Sequence, residues 1–323
     1  MGRYILKRLG LVILTTVIIV FMVFAFTRMM PQARDVYELG IDPEIMKVLK
    51  ERDGLGDGTI FEQFYRWFTN IFKYGTLGYS LREPKEATDM IGERLIVTVR
   101  INIFPYLLAI PIGIGLGIWA ALKKNKFTDH AISTLVMVMI SVPSFVVGVL
   151  LQYYFAFKWN ILPWKVYVGS DFSTNIWVGI SSYFLPITML TIGGVAGLAR
   201  VTRAELTEVL TSDFMLLCRT KGLTRGQATV RHGIRNALVP IAPSLIGGFV
   251  GILSGAMVTE QIYSIRGIGG LYLNSFQATA GMKPDYPVIM ALLMFYTALG
   301  LLTTLVIDLS YGVIDPRIRM GAR

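Results

Sequence analysis

The chain has 323 residues, of which 54% are hydrophobic and only 16% charged, whereas a soluble domain carries about 25% charged residues. That deficit excludes an ordinary soluble globule and points to the bilayer as solvent. A single cysteine, Cys218, excludes an internal disulfide framework and a four-thiolate metal site. The net charge of +10 would suggest a nucleic-acid partner in a soluble protein. Here the basic residues fall in short segments between apolar stretches, so membrane lipid, not nucleic acid, is the partner expected of them.

A helix crosses the hydrocarbon core in about 20 apolar residues. Six stretches qualify in chain order: Leu9–Phe26, Ile101–Leu122, Ala131–Phe157, Ile176–Leu198, Ala237–Val258 and Pro287–Ile307. So bounded, none contains Lys, Arg, Asp or Glu. The fold class expected is an all-α polytopic membrane protein with six transmembrane helices and both termini on one side. One side collects Arg3, Lys7, Arg8, the segment Lys123–His130, the segment Arg200–Asn236 and the tail "DPRIRMGAR", with sixteen basic and five acidic residues. The positive-inside rule makes that side cytoplasmic. The expected organisation is an N-terminal span in 1–27, an extracytoplasmic segment in 28–96, a five-helix core in 97–311 with a cytoplasmic loop at 200–236, and a tail in 312–323. The first stretch is read as a retained span, because "FTRMMPQ" is a poor small-residue cleavage site.

Between the first two spans, Thr27–Arg100 carries twelve acidic and eleven basic residues and reads as a small helical module. "DPEIMKVLKERDG" forms one helix that Gly54 ends. "FEQFYRWFTNIFKYG" forms an aromatic amphipathic helix that either lies in the membrane interface or packs on the bundle. Within the spans, Gly113 and Gly117, Gly193 and Gly197, and Gly247, Gly251 and Gly255 recur at four-residue spacing, which lets helices approach closely. Pro111, Pro143, Pro186 and Pro243 each remove a backbone hydrogen bond, tolerated where a neighbour or cavity satisfies the freed carbonyl.

The stretch "CRTKGLTRGQATVRHGIRNALVP", Cys218–Pro240, carries five fixed cations and no carboxylate. Ser212 or Asp213 N-caps a first short helix whose Phe214, Leu217 and Cys218 share a face, and Gly222 takes the left-handed closing position. Thr224 and Gln227 have the spacing of a capping box that restarts a helix. The expectation is two short helices with a tight turn at Lys221–Thr224. An ordered basic hairpin of this kind suits docking into another protein; a solvated basic loop on anionic lipid is the alternative.

On Arg219, Lys221, Gly222, Leu223, His232, Arg235, Asn236, Ala237, Leu238 and Pro240 the segment resembles the cytoplasmic loop of binding-protein-dependent ABC importer permeases, in the dipeptide/oligopeptide branch. The resemblance extends along the chain through "YGTLGYS" (Tyr74–Ser80), "SVPSFVVGVLL", "EQIYSIRGIGGL" (Glu260–Leu271), "DYP" (Asp285–Pro287) and "DPRIR" (Asp315–Arg319). Where the wider permease motif begins Glu-Ala-Ala, this chain has Leu216-Leu217-Cys218. The long segment after the first span resembles the first of the two permeases paired in such systems. The resemblance implies a pore built with a second permease subunit, two cytoplasmic ATP-binding subunits and an extracytoplasmic substrate-binding protein, in a bacterial or archaeal cytoplasmic membrane. It implies peptides as cargo, with oligosaccharides or nickel chelates as the alternative. It places the ATPase-docking or coupling contacts on Asp213, Leu217, Arg219, Thr220, Lys221, Gly222, Leu223, Arg231 and Arg235. Exposed ion pairs contribute only about 0–1 kcal/mol each, so apolar Leu217 and Leu223 carry weight there too.

No G-x-x-x-x-G-K-[ST] loop is present, so ATP binding falls to partners, and neither H-E-x-x-H nor G-x-S-x-G appears. No cofactor is expected, and His130 and His232 are too few for a metal site. "GLGD" (Gly54–Asp57) matches an intramembrane-protease signature by chance, outside the bilayer. Glu260, at the end of the fifth span, is either a functional carboxylate or a partner of Arg266. A self-sufficient channel or carrier requires ionisable groups on its pathway, and the six stretches supply none.

Overall fold

The computed structural model describes residues 2–29, 47, 52, 58–83, 85–167, 175–277 and 284–314. The helix expected over 42–54 (apart from positions 47 and 52), the "GLGD" tetrapeptide and the "DPRIR" tail lie outside the described residues. Among the described residues the regular structure is helical, and a single antiparallel bridge joins Tyr79 and Glu86.

In order, the helices are α1 (Gly2–Met29), α2 (Ile60–Tyr74), α3 (Ala87–Leu122), α4 (Phe127–Ser141), α5 (Ser144–Leu151), α6 (Ile176–Ser182), α7 (Phe184–Leu210), α8 (Asp213–Thr220), α9 (Arg225–Ala228), α10 (Ile234–Leu238), α11 (Ala242–Gly251), α12 (Met257–Ile262), α13 (Ile268–Phe276) and α14 (Tyr286–Ile314). By length and hydropathy, Leu9–Met29, Ala87–Leu122, Ile176–Leu210, Ala242–Ile262 and Tyr286–Tyr311 can each cross a bilayer. A sixth crossing exists if Phe127–Ser141 and Ser144–Lys158 count as one bent span.

The helices overrun the apolar stretches that the sequence marks. α3 starts at Ala87, not Ile101, and so contains Asp89, Glu93, Arg94 and Arg100. α7 continues past Leu198 to Leu210, taking the first part of the basic loop into the helix. Hydropathy ends where charge begins, but backbone hydrogen bonding does not. The third stretch departs in the other direction. It breaks by 91° between α4 and α5, because Pro143 has no N–H to donate and pushes Val142 into extended backbone at φ −81°, ψ 122°. Beyond α5 the chain continues as a π-helical stretch, Gln152–Lys158, whose Gln152 amide donates to the carbonyls of Trp164 and Ile262 at 2.8 and 2.9 Å.

The chain divides into two compact units, Met1–Thr98 with Arg266–Leu305, and Val99–Ile265 with Val306–Arg323. In the first, Ala87, Met90 and Ile91 of α3 pack with Ile268 and Leu271 of α13 and Val288, Ala291 and Leu292 of α14. A second cluster joins Val20 and Phe24 of α1 to Phe64 and Trp67 of α2 and Met290. α2 is closed at both ends. Thr59 and Glu62 form a capping box, and Gly75 at φ +67° returns its N–H to the Ile71 carbonyl.

In the second unit, α3 and α7 approach closely at two of the glycines singled out by spacing. A Cβ on Gly113 would stand 2.7 Å from Leu198 Cβ and 2.9 Å from the Val195 carbonyl, and one on Gly117 2.6 Å from Thr202 Cβ and 2.7 Å from the Ala199 carbonyl. Gly193, Gly197 and Gly251 have nothing within 4 Å of such a Cβ, so their spacing carries no comparable contact. Gly117→Val is expected to lower stability by about 1–3 kcal/mol, since the obstructing atoms include backbone. Gly197→Ala should leave it unchanged. Thermal melting of the two detergent-purified variants checks the pair, and equal melting would remove the close-approach account.

Candidate functional site

The basic segment folds as a helical hairpin. Ser212 stands at the N-cap of α8, but its hydroxyl donates back to the Val209 carbonyl at 2.7 Å instead of capping. The helix ends in a Schellman turn. Leu223 N–H reaches the Cys218 carbonyl at 3.4 Å, Gly222 N–H reaches the Arg219 carbonyl at 3.0 Å, and Gly222 sits at φ +89°. Thr224 then opens α9 with both bonds of the capping box, Gln227 N–H to its hydroxyl at 3.3 Å and its own N–H to Gln227 Oε1 at 3.1 Å. A π turn, Thr229–Gly233, carries the chain on into α10.

The hairpin's inner face divides the residues that the periodicity groups together. Met215 and Cys218 are buried against Ala228, with Val209, Leu210 and Leu223 beside them. Phe214 and Leu217, which the periodicity groups with Cys218, are exposed together with Leu216, at 40, 52 and 58%. The i, i+3, i+4 rule permits either face, and Ala228 on the opposite arm decides between them. Asp213, Arg219, Thr220, Lys221, Gly222, Arg231 and Arg235 are all exposed, and Leu223 is half-buried. None of the hairpin's five cations forms an ion pair with a described carboxylate. The geometry therefore gathers an apolar patch and unneutralised positive charge on one ordered element.

An ion pair that sequence reasoning passed over lies in the same unit. Asp129, in the first turn of α4, is fully buried. It accepts from both Nε and Nη2 of Arg203 on the extension of α7, the latter at 2.8 Å, and from Asn125 N–H at 2.9 Å and the Ser133 hydroxyl at 3.3 Å. The signal available was weak: Asp129 is the one acid in the otherwise basic "KKNKFTDH".

α3, α6 and α7 line a largely apolar cavity of about 970 Å³. Phe104, Leu108 and Ile112 follow one another down α3, while Tyr183 and Thr191 face in from the other side. Arg100 stands on its wall, so the helix that the hydropathy reading treated as free of charge brings a cation to this space.

Two of the short motifs meet in the first unit. Ser80 of "YGTLGYS" donates its hydroxyl to Asp285 of "DYP" at 2.5 Å, and Leu81 N–H adds a bond to the other carboxylate oxygen at 3.2 Å. Arg82 fixes the carbonyls of Asn274 and Gln277 at 2.6 and 2.7 Å. Burial raises the Asp285 carboxyl pKa above the ordinary range, opposed by the Ser80 hydroxyl, the Leu81 and Val288 N–H groups and Arg82. Glu260 is buried in α12, beyond a break at Gly255, and accepts from Ala256 N–H at 3.4 Å.

The family described as "Binding-protein-dependent transport system inner membrane component" matches residues 113–320. Along nearly its whole length the chain is similar to the dipeptide transport system permease protein DppB of Bacillus subtilis (strain 168), at 30% identity over 321 residues and 99% of each chain. It is 32% identical over 323 residues to DppB of Lactococcus lactis subsp. cremoris (strain MG1363), covering 99% of this chain and 100% of that one. The glutathione transport system permease protein GsiC of Escherichia coli O6:H1 is 32% identical over 321 residues, 99% of each. The multi-pass helices and these matches define an inner-membrane permease subunit of an ATP-driven importer. The chain belongs to the family of binding-protein-dependent transport system inner membrane components.

Proposed function

We propose that this permease forms half of the translocation pathway for peptides and is driven by cytoplasmic ATPases through the hairpin at 213–236. The observation that carries the coupling role is the hairpin itself. A Schellman turn and a capping box hold an exposed patch of Phe214, Leu216 and Leu217 beside unpaired cations. A rigid element of this kind can pass a two-state closure from one subunit to another. The peptide class is supported by the dipeptide and glutathione permeases that the chain resembles. The distribution of Lys and Arg supports cytoplasmic termini and a cytoplasmic hairpin, with the partners a second permease, two ATP-binding subunits and an extracytoplasmic binding protein. The cavity beside Arg100 is this subunit's contribution to the pathway.

Affinity purification from the native membrane in gentle detergent, with mass spectrometry of the bound proteins, tests the assembly. A second multi-pass permease and P-loop ATPases are expected. A chain that purifies alone, stable and monodisperse, would remove the docking role and favour a self-sufficient carrier.

A further inference from the structure

α2 carries two apolar stripes, and among the described residues only one is covered. Phe64, Trp67, Phe68 and Ile71, at i, i+3, i+4 and i+7, pack toward α1. Phe61, Tyr65 and Phe72 form a neighbouring stripe at i, i+4 and i+11 and are 68, 64 and 74% exposed. The remaining arc is polar, with Glu62, Arg66, Thr69 and Lys73.

The contacts with α1 set the depth of this helix. Phe21 meets Phe61 and Phe64 with ring centroids 6.1 and 5.1 Å apart, and Phe24 meets Phe64 and Trp67 at 5.5 Å each. The apolar stretch of α1 runs from Leu9 to Met29, and 21 residues at about 1.5 Å each match a hydrocarbon core of about 30 Å. Phe21 and Phe24 therefore lie about 7–12 Å inside the Met29 end of that stretch. Amphipathic helices that rest in a membrane surface bury their apolar face by about 5–10 Å. Ile18, Met22 and Phe26 of α1 are also uncovered, and Phe61 of the stripe reaches α1 at Phe21.

We propose that α2 is a membrane-interface anchor, with Phe61, Tyr65 and Phe72 inserted among the lipids of the leaflet at the Met29 end of α1. Three observations point to lipid as the occupant: the depth set by Phe21 and Phe24, the contact of Phe61 with a span that is itself uncovered at Ile18, Met22 and Phe26, and the polar arc. Tyr is enriched at this level of the bilayer, Phe is common on the apolar face of interfacial helices, and Arg66 and Lys73 on the polar arc suit lipid phosphates. The segment after the first span is thus not wholly an aqueous module, and it restrains the tilt of α1.

The test is spin-label accessibility on the full chain in lipid nanodiscs, alone and in its assembled complex. Phe61→Cys, Tyr65→Cys and Phe72→Cys probe the stripe, and Thr69→Cys probes the polar arc. Cys218 is buried, and the parent chain labelled in parallel provides its background. Labels at 61, 65 and 72 should collide several-fold more with oxygen, which concentrates in the bilayer, than with a water-soluble nickel chelate, and the label at 69 should show the reverse. Nickel-favoured collisions at all four positions would overturn the proposal by placing the stripe in water. Labels at 61, 65 and 72 shielded from both reagents in the complex would overturn it by placing the stripe under a partner subunit. Should one cysteine variant fail to fold, the other two still decide.

Discussion

Gly222→Val is expected to leave the permease inserted and assembled but to reduce ATP-driven uptake by ten-fold or more. The cause is conformational, since a Cβ on Gly222 has nothing within 4 Å. At φ +89° a β-branched residue is strained by about 1–3 kcal/mol, and the strain is relieved by opening the turn that joins α8 to α9. Leu223 then leaves Met215 and Cys218, and the exposed Phe214–Leu217 face loses its fixed direction. Asparagine tolerates the left-handed region better than other non-glycine residues, so uptake should rank Gly222 above Asn, Ala and Val in turn. The measurement is substrate uptake together with ATPase activity of the reconstituted complex. Normal uptake by the valine variant, at a normal ratio of uptake to ATP hydrolysed, would sink the coupling role of the turn.

The second large effect is expected at Asp129 and Arg203. Arg203→Ala leaves the buried carboxylate with only Asn125 and Ser133 to satisfy it, and because water reaches the Arg203 position the expected loss is about 1–3 kcal/mol, below that of a fully buried pair. Asp129→Ala is milder, because the Arg203 side chain is 35% exposed and reaches water. The double variant Asp129→Ala/Arg203→Ala should recover much of the Arg203→Ala loss, since contacting residues do not act additively. Thermal melting in detergent of the three variants measures this. A double variant no more stable than Arg203→Ala would show that the loss does not come from a stranded Asp129 carboxylate.

The hairpin was readable in the sequence because its determinants are local. Gly222 and the Thr224/Gln227 spacing specify a turn and a helix start within a few residues, and the backbone bonds appear where those residues put them. Which face of α8 is buried was not readable, because the choice between Phe214/Leu217 and Met215/Cys218 depends on Ala228 across the turn. Five of the six apolar stretches fall on helices long enough to cross a bilayer, but their ends were not legible, because a helix such as α3 continues through Arg94 and Arg100 without regard to hydropathy. Ser80 and Asp285 each stood in a noted motif, but their bond spans 205 residues, and nothing in either motif names the other. Pro143 marked a lost hydrogen bond, while the 91° turn it produces depends on how α5 packs after the break. For the same reason, equal glycine spacing gave one tight helix contact at Gly113 and Gly117 and none at Gly193 and Gly197.

The π turn between α9 and α10 has a consequence for how the hairpin is aimed. A π turn amounts to one residue more than an α-helix needs, and one residue corresponds to about 100° around a helix axis. Residue number between Thr229 and Gly233 therefore acts as a gear between the hairpin and the chain that follows α10. Val209 and Leu210 hold the hairpin, so loss of one residue there would turn the chain that follows α10 by about 100° relative to Phe214, Leu216 and Leu217, with no change in the residues that make up the patch. Two permeases with the same contact surface can in this way address their partners from different angles through a difference of a single codon.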